Sequence, residues 1–192
     1  MDQSKSILTY FLNYLHKKNI PLDKITIQKG LFFLKEMGLP IKFRFEPYIY
    51  GPFSIDLAME LDEMVFWDEL AQTGSRYSIK KVELADFSEQ IKEKISNKLN
   101  CLEKILDEKF DFNNLELAST VLFVIRSLEA SNEKVDMVSV VKEVQDWKGN
   151  KFVKEDIISV YNRLIELARK EKCLTIRCYV KGQEEMDNFV VK

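Results

Sequence analysis

The sequence predicts a mainly α protein (α+β): a compact helical bundle with a small antiparallel sheet and a winged-helix-like C-terminal part. Two observations carry this prediction. Apolar residues recur at three- and four-residue spacing along most of the chain, which is typical of amphipathic helices. The 192 residues are 46% apolar and include only 6 Gly and 4 Pro, so the chain can bury a core and is not a disordered segment.

The N-terminal part predicts two helices. An apolar stripe runs from Ser4 to Lys17, and Asp23 is placed to cap a second helix that extends to about Met37. Gly38 and Pro40 end this second helix. Its predicted core positions are Ile27, Leu31, Phe32 and Leu34.

Two strands and a third helix follow. Polar and apolar residues alternate from Lys42 to Tyr50, which predicts a strand with Pro47 at an edge or a bulge. We expect Gly51-Pro52 to break this strand and a helix to run from Ser54 to about Trp67. After a turn, Arg76–Val82 predicts a second strand, which we expect to join the first in one small sheet across the helices.

The remaining sequence predicts four helices and then a hairpin. The helices are expected at Asp86–Lys109, Leu115–Leu128, Asp136–Trp147 and Lys154–Lys170. Alternation over Cys173–Val180 and Asp187–Val191 predicts the hairpin. Three helices followed by a hairpin are the order of a winged-helix unit, in which the third helix can read DNA.

These elements divide the chain into three predicted segments. Residues 1–85 form a helical and small-sheet unit, residues 86–112 a long bridging helix, and residues 113–192 the winged-helix-like unit. We expect the three to pack as one body.

Composition limits the chemistry and the compartment. One His offers little for catalysis, and three Cys (Cys101, Cys173 and Cys178) at irregular spacing do not form a zinc motif. Unpaired thiols and an N-terminus without a signal peptide favour a reducing cytoplasm. The longest apolar run is too short to cross a membrane. We therefore expect a cytoplasmic protein that is not an enzyme and uses no cofactor or metal.

Charge is arranged in blocks although the formal net charge is −2. Residues 1–50 carry eight basic and four acidic side chains. Residues 51–70 carry six acidic side chains and no Lys or Arg. These blocks are either solvated helix faces or a basic face that steers an acidic partner. The steering residues would be Lys24, Lys29, Lys42 and Arg44.

Phe43–Phe53 is the most unusual segment, with five aromatic residues around Gly51-Pro52. Phe43 and Phe45 are expected to lie in the core. Tyr48 and Tyr50 fit two interpretations equally well, either a core strand or an exposed recognition surface, because tyrosines are amphipathic.

Two strings carry a family resemblance. Ile27-Gln28-Lys29-Gly30-Leu31-Phe32-Phe33-Leu34 resembles a helix of the SocA/Panacea antitoxin-like family, and Phe45–Pro52 resembles its aromatic strand ending in Tyr-Gly-Pro. The Pro-Tyr-x-Tyr-Gly-Pro-aromatic-Ser form is similar to the YwgA-like branch. Many members of the antitoxin branch carry Ala-Trp before Tyr-Gly-Pro, where this chain has Pro-Tyr-Ile. Weaker similarity extends to Leu115–Ser119 and Phe152–Ile157.

The resemblance implies a mainly helical protein with a small sheet and no enzymatic chemistry. Members of the family act as antitoxins that bind a toxin protein directly, or as adaptors that present it to a protease. We therefore expect a protein-interaction module, antitoxin-like or defence-associated, with a protein partner such as a toxin or a neighbouring-gene product. The expected partner-binding residues are Lys29, Tyr48, Tyr50, Gly51, Pro52 and Phe53.

The alternative function is a winged-helix transcriptional regulator. Basic side chains on the last helix and in the predicted hairpin would contact DNA, and acidic residues on the same helix dilute their charge. The expected DNA-binding residues are Arg163, Arg169, Lys170 and Arg177.

Overall fold

The computed structural model describes residues 3–81 and 87–177. The chain divides into two units, Met1–Ser119 and Thr120–Lys192. The division falls inside a helix, between Ser119 and Thr120. The predicted separation of a bridging segment over 86–112 remains a prediction.

Helices dominate both units, so the mainly α prediction is confirmed. In the first unit they are α1 (Gln3–Lys17), α2 (Lys24–Glu36), α3 (Ile55–Phe66) and α4 (Glu89–Ile105). Helix α5 (Phe112–Ala130) crosses into the second unit, which also holds α6 (Met137–Lys148), a 3₁₀ turn (Gly149–Lys151) and α7 (Lys154–Glu171). All seven lie where the apolar periodicity predicts them.

Local capping explains several helix ends. The Ser54 side chain accepts a hydrogen bond from the Leu57 N–H at 3.2 Å and starts α3. Asp107 and Glu108 adopt left-handed φ angles of 51° and 57°, so α4 ends before the predicted Lys109. Asp23 occupies the N-cap position of α2 but makes no capping bond, because its carboxylate pairs with Arg76 at 2.9 Å.

The strand prediction is partly wrong. Strand β1 (Glu46–Tyr48) pairs antiparallel with β2 (Gly51–Phe53), so Gly51-Pro52 belongs to a strand and does not break one. Strand β3 (Leu70–Thr73) pairs with β4 (Arg76–Ile79) in a separate two-stranded sheet. The two predicted strands therefore do not share a sheet.

The alternation at Lys42–Phe45 has another cause than sheet pairing. Ile41 and Phe43 are buried and Lys42 and Arg44 are exposed, but this stretch forms no strand. Lys35 on α2 donates a hydrogen bond from its Nζ to the Phe43 carbonyl at 2.6 Å. An extended chain held against a helix buries alternate residues without a neighbouring strand.

The core of the first unit forms where α1 and α2 meet. Phe11 on α1 is fully buried, and its ring lies against Gly30 of α2. The predicted core positions of α2 are all buried, which confirms that prediction. Tyr14, whose ring stacks on that of Phe11 one turn earlier, donates a hydrogen bond to Glu103 of α4 at 2.5 Å.

The second unit packs α5, α6 and α7 around its own core. Phe123 on α5 meets Trp147 on α6 with ring centroids 5.5 Å apart. Arg126 on α5 donates to the Thr175 carbonyl at 2.7 Å, which fixes the segment after α7. Residues 173–177 form no strand, and the rest of the predicted hairpin lies outside the described residues.

Two predictions about cysteines and membranes can be compared with the structure. Neither Cys101 nor Cys173 is a free thiol, because each is disulfide-bonded, so the expectation of unpaired thiols is wrong for each of them. Cys178 lies outside the described residues. None of the helices over 3–81 and 87–177 is long and apolar enough to span a membrane.

Candidate functional site

The most distinctive surface feature of the first unit is the tip of the β1–β2 hairpin. Three consecutive large side chains are exposed there, namely Tyr48 (56%), Ile49 (66%) and Tyr50 (50%). We call these three residues the hairpin tip. Three neighbouring large apolar or aromatic side chains at one exposed turn are unusual, because isolated exposed ones are the norm.

Backbone geometry makes this turn tight. Tyr48 pairs with Gly51, which leaves Ile49 and Tyr50 as the two connecting residues. Gly51 has a φ of +85°, in the left-handed region that favours glycine. The chain therefore reverses at the tip and returns directly into β2.

The base of the hairpin is fixed by Gln28 of α2. Its Nε2 donates to the Ser54 carbonyl at 2.9 Å, and its Oε1 accepts from the Ser54 N–H at 2.9 Å. Both residues are buried. This pair of bonds satisfies the backbone at the point where β2 ends and α3 begins.

Lys29 supports the same segment from below. Its Nζ donates to the Pro52 carbonyl at 2.6 Å. The residue is only 3% exposed, so it lies beneath the hairpin and is not available to contact or steer a partner from the surface. The sequence prediction that placed Lys29 on a contact surface is corrected by this burial.

Aromatic contacts brace the tip from both sides. Tyr48 packs against Phe53 with ring centroids 5.4 Å apart, and Tyr50 meets Phe112 edge-on at 5.3 Å. The Lys24 ammonium lies 5.8 Å from the Phe53 ring centroid. Phe112, half exposed at the start of α5, was not predicted. Its position far along the chain gave no signal that it would meet Tyr50.

The predicted partner-binding residues therefore separate into two groups. Tyr48 and Tyr50 are exposed, and Phe53 is half-buried beside them. Gly51 and Pro52 are buried and shape the turn. The exposure of Tyr48 and Tyr50 shows that they are not core residues, and their role in recognition remains a prediction.

Basic side chains lie close to the hairpin in sequence. Lys42 and Arg44 are exposed on the segment that leads into β1, and Arg44 lies 4.0 Å from Glu46. Lys24 is partly exposed near Phe53. The positive charge predicted for the N-terminal block is thus present beside the hairpin, without the contribution of Lys29.

The residues predicted to bind DNA lie in the second unit. Arg169 and Lys170 are exposed in the last turn of α7, where Lys170 pairs with Glu166 at 2.7 Å. Arg163 is half-buried. The Arg177 side chain is exposed, and its backbone N–H donates to Glu129 at 2.6 Å.

No group of three or more His, Cys, Asp or Glu in the described ranges is arranged to hold a metal ion. Neither a family model nor a curated protein matches this chain.

Proposed function

We propose that the protein is a non-enzymatic interaction module, antitoxin-like or defence-associated, that binds a partner protein directly through its hairpin tip. The proposal rests on one observation: exposed aromatic side chains project from a turn whose base is held by buried hydrogen bonds. The family resemblance in the Gln28-Lys29 helix and the Tyr-Gly-Pro turn supports the same function.

The geometry suits tight recognition for a physical reason. A partner that buries flexible residues must first order them, which costs about 0.5–1.5 kcal/mol for each side chain. Here Gln28 and Lys29 hold the hairpin base, and Phe53 and Phe112 support the tyrosine rings. Tyrosine is also among the residues that contribute most to binding at interfaces. The tip therefore offers apolar area at a small entropic cost.

Charge gives the proposed partner a further property. Lys42 and Arg44 are exposed just before the hairpin, and Lys24 lies near its base. Such positive charge accelerates association with an acidic surface more than it strengthens the final complex. We therefore expect the partner to present acidic residues around an apolar pocket that receives the tyrosines.

Co-purification tests this function. The tagged protein is co-expressed with the products of its neighbouring genes, and captured proteins are identified by mass spectrometry. Growth assays then establish whether a captured protein is toxic alone and harmless together with this chain. We expect the double variant Tyr48→Ala/Tyr50→Ala to bind at least about tenfold more weakly.

Val153→Ala is the matched control, because Val153 is a similarly exposed apolar residue in the second unit. It should bind as wild type does. If the tyrosine variant captures the partner as well as wild type, the hairpin tip is not the contact. If no neighbour binds, the antitoxin-like function is wrong.

The alternative, DNA binding by a winged-helix-like second unit, is supported by the order of α5, α6 and α7 and by exposed Arg169 and Lys170. Glu155 and Asp156 are exposed in the first turn of α7, where a recognition helix usually meets bases, and they oppose this function. Electrophoretic mobility shifts at low salt test it. Affinity must fall with salt and on Arg169→Ala if the alternative holds.

A further inference from the structure

Helix α3 carries a second exposed apolar surface. Ile55, Met59 and Phe66 are 64%, 65% and 78% exposed. Their spacing of four and seven residues places them along one side of the helix over about 16 Å. Trp67 is 63% exposed and meets the Phe66 ring edge-on, with centroids 5.0 Å apart. We call these four residues the α3 outer face.

Folding does not account for this face. The core side of α3 is formed by Leu57, Leu61 and Met64, which are fully buried. The helix therefore already has the apolar stripe that a surface helix needs. Four further large apolar side chains on its solvent side expose area that water does not favour, which is typical of an interaction surface.

Acidic side chains surround the α3 outer face. Residues 51–70 contain six acidic residues and no Lys or Arg. Glu60 and Glu69 both pair with Lys5 of α1, which compensates one of their two negative charges within the fold. Asp62 and Glu63 are exposed and form no salt bridge with a residue of the described ranges.

We propose that the α3 outer face is a docking surface for a basic amphipathic helix of another protein. The apolar side of that helix covers Met59, Phe66 and Trp67, and its flanking Lys or Arg side chains meet Asp62 and Glu63. Helices with such anchors are commonly recognised by an exposed apolar strip. Opposite charges at the rim set the orientation and speed the encounter.

The negative charge beside the α3 outer face argues against two other occupants, an anionic membrane surface and a second copy of this chain. An anionic membrane surface attracts basic segments and repels a carboxylate-rich helix. A second copy docking through the same face would place Asp62 and Glu63 near their own counterparts, because a twofold interface brings identical patches together. A cationic, apolar partner helix satisfies both components of the surface.

Two synthetic peptides of about 18 residues, or five helical turns, provide the probe. Both have the same leucine stripe, flanked by lysine in one and by glutamate in the other. Fluorescence anisotropy measures their binding to the whole protein. We expect the lysine peptide to bind with an affinity that falls as salt rises, and the glutamate peptide to bind at least about tenfold more weakly.

Variants locate the binding. Met59→Ser/Phe66→Ser should weaken the binding of the lysine peptide at least about tenfold. Asp62→Asn/Glu63→Gln should make the affinity for this peptide depend less on salt. Val138→Ser removes an exposed apolar residue of the second unit and should change neither property. Because all these side chains are exposed, the variants should keep the wild-type circular dichroism spectrum.

Several results would overturn the proposal. They are the absence of lysine-peptide binding, equal binding of the two peptides, and unchanged binding by Met59→Ser/Phe66→Ser. Stronger binding to phosphatidylserine-containing vesicles than to the peptide would identify a membrane surface, and a dimer abolished by the same variant would identify a second copy. The proposal is independent of the hairpin tip, so Tyr48→Ala/Tyr50→Ala should bind the peptide as wild type does.

Discussion

The side-chain amide of Gln28 makes two reciprocal hydrogen bonds with the backbone of Ser54, each 2.9 Å long. Both groups are buried, so water cannot replace either bond. Ser54 also caps α3 through its hydroxyl. One side chain of α2 thus connects the end of the hairpin to the start of the helix that bears the α3 outer face. The connection between the β1–β2 hairpin and α3, which carry the two proposed surfaces, depends on these two hydrogen bonds.

Replacing Gln28 with Met should therefore destabilise the protein strongly. Methionine fills a similar volume but leaves the buried Ser54 N–H without a partner, while the Ser54 carbonyl keeps the hydrogen bond that it accepts from the Ala58 N–H at 3.1 Å. One unsatisfied buried donor costs about 1–3 kcal/mol, so we expect the free energy of unfolding to fall by about 2 kcal/mol. Urea denaturation monitored by circular dichroism measures this loss.

Gln72→Met is the matched control. Gln72 also donates its side-chain amide to a backbone carbonyl, that of Gly74 at 2.9 Å, but this bond is exposed. Water can replace it, so the loss should stay below about 0.5 kcal/mol. Equal losses in the two variants would contradict the role given to burial.

The helices could be predicted from sequence because their signals are local. The periodicity of α1 and the cap at Ser54 each involve residues a few positions apart. The strands could not be paired in the same way. Gly51-Pro52 has the composition of a chain break, yet Gly51 supplies the left-handed φ that returns the chain into β2. Only the pairing partner distinguishes these two outcomes.

The candidate site could be predicted in part for a similar reason. Tyr48 and Tyr50 stood out as aromatic residues beside a turn, but nothing in their neighbourhood fixed which side faces solvent. The family resemblance and the positive charge of Lys29 predict a contact role, and neither carries information on its burial. Lys29 belongs to a continuous buried run from Thr26 to Leu34. Gln28 and Lys29 are two long polar residues inside an apolar helix segment, and this pattern is the sequence feature that indicates buried polar side chains.

Gly30→Ala should destabilise the protein although alanine favours a helix more than glycine does. A Cβ at Gly30 would lie 2.2 Å from Cζ and 2.5 Å from Cε1 of Phe11, whose ring is fully buried. Overpacking of this kind costs about 1–3 kcal/mol, and the gain in helix propensity offsets about 1 kcal/mol of it. We expect a net loss of up to about 2 kcal/mol in the free energy of unfolding, measured by urea denaturation.

A double-mutant cycle checks this cause. In a Phe11→Leu background the added methyl has room, so Gly30→Ala should cost less than it does in wild type. Coupling of at least about 0.5 kcal/mol between the two sites is expected for residues in contact. Additive losses would mean that the Phe11 ring is not what restricts position 30.

Tyr77→Phe should leave stability unchanged or raise it by up to about 1 kcal/mol at neutral pH. Tyr77 is buried, and its Oη has no hydrogen-bond partner in the described part of the chain. Burial, together with the charge of Asp62, raises the pKa of the Tyr77 hydroxyl above its usual value of 10.0. Its neutral form is therefore the one that the fold favours. Wild type should lose stability as the pH rises above about 10, and the variant should lose less.

Tyr14→Phe provides the contrast, because Tyr14 donates to Glu103 at 2.5 Å. This variant should be less stable than wild type at neutral pH. If both Phe variants behave alike in thermal denaturation, the hydroxyl of Tyr77 has a partner and the interpretation of that site is wrong.

Asp136 should contribute stability that disappears in acid. It caps α6 by accepting from the Ser139 N–H at 2.8 Å and pairs with Lys134 at 2.5 Å. The hydrogen bond from Lys134, followed by that from Ser139, lowers the pKa of Asp136 from 3.8 to about 2. The charged form is favoured in the fold, so its contribution is complete above about pH 4 and is lost as the pH falls toward about 2. Because the side chain is partly exposed, we expect this contribution to the free energy of unfolding to be about 1 kcal/mol.

Asp136→Asn keeps a capping oxygen but loses the charge. Its free energy of unfolding in urea should therefore be lower than that of wild type above about pH 4, and the difference should shrink between about pH 4 and pH 2. A deficit that stays constant over this range would contradict a stabilising role for the ionised Asp136 carboxylate.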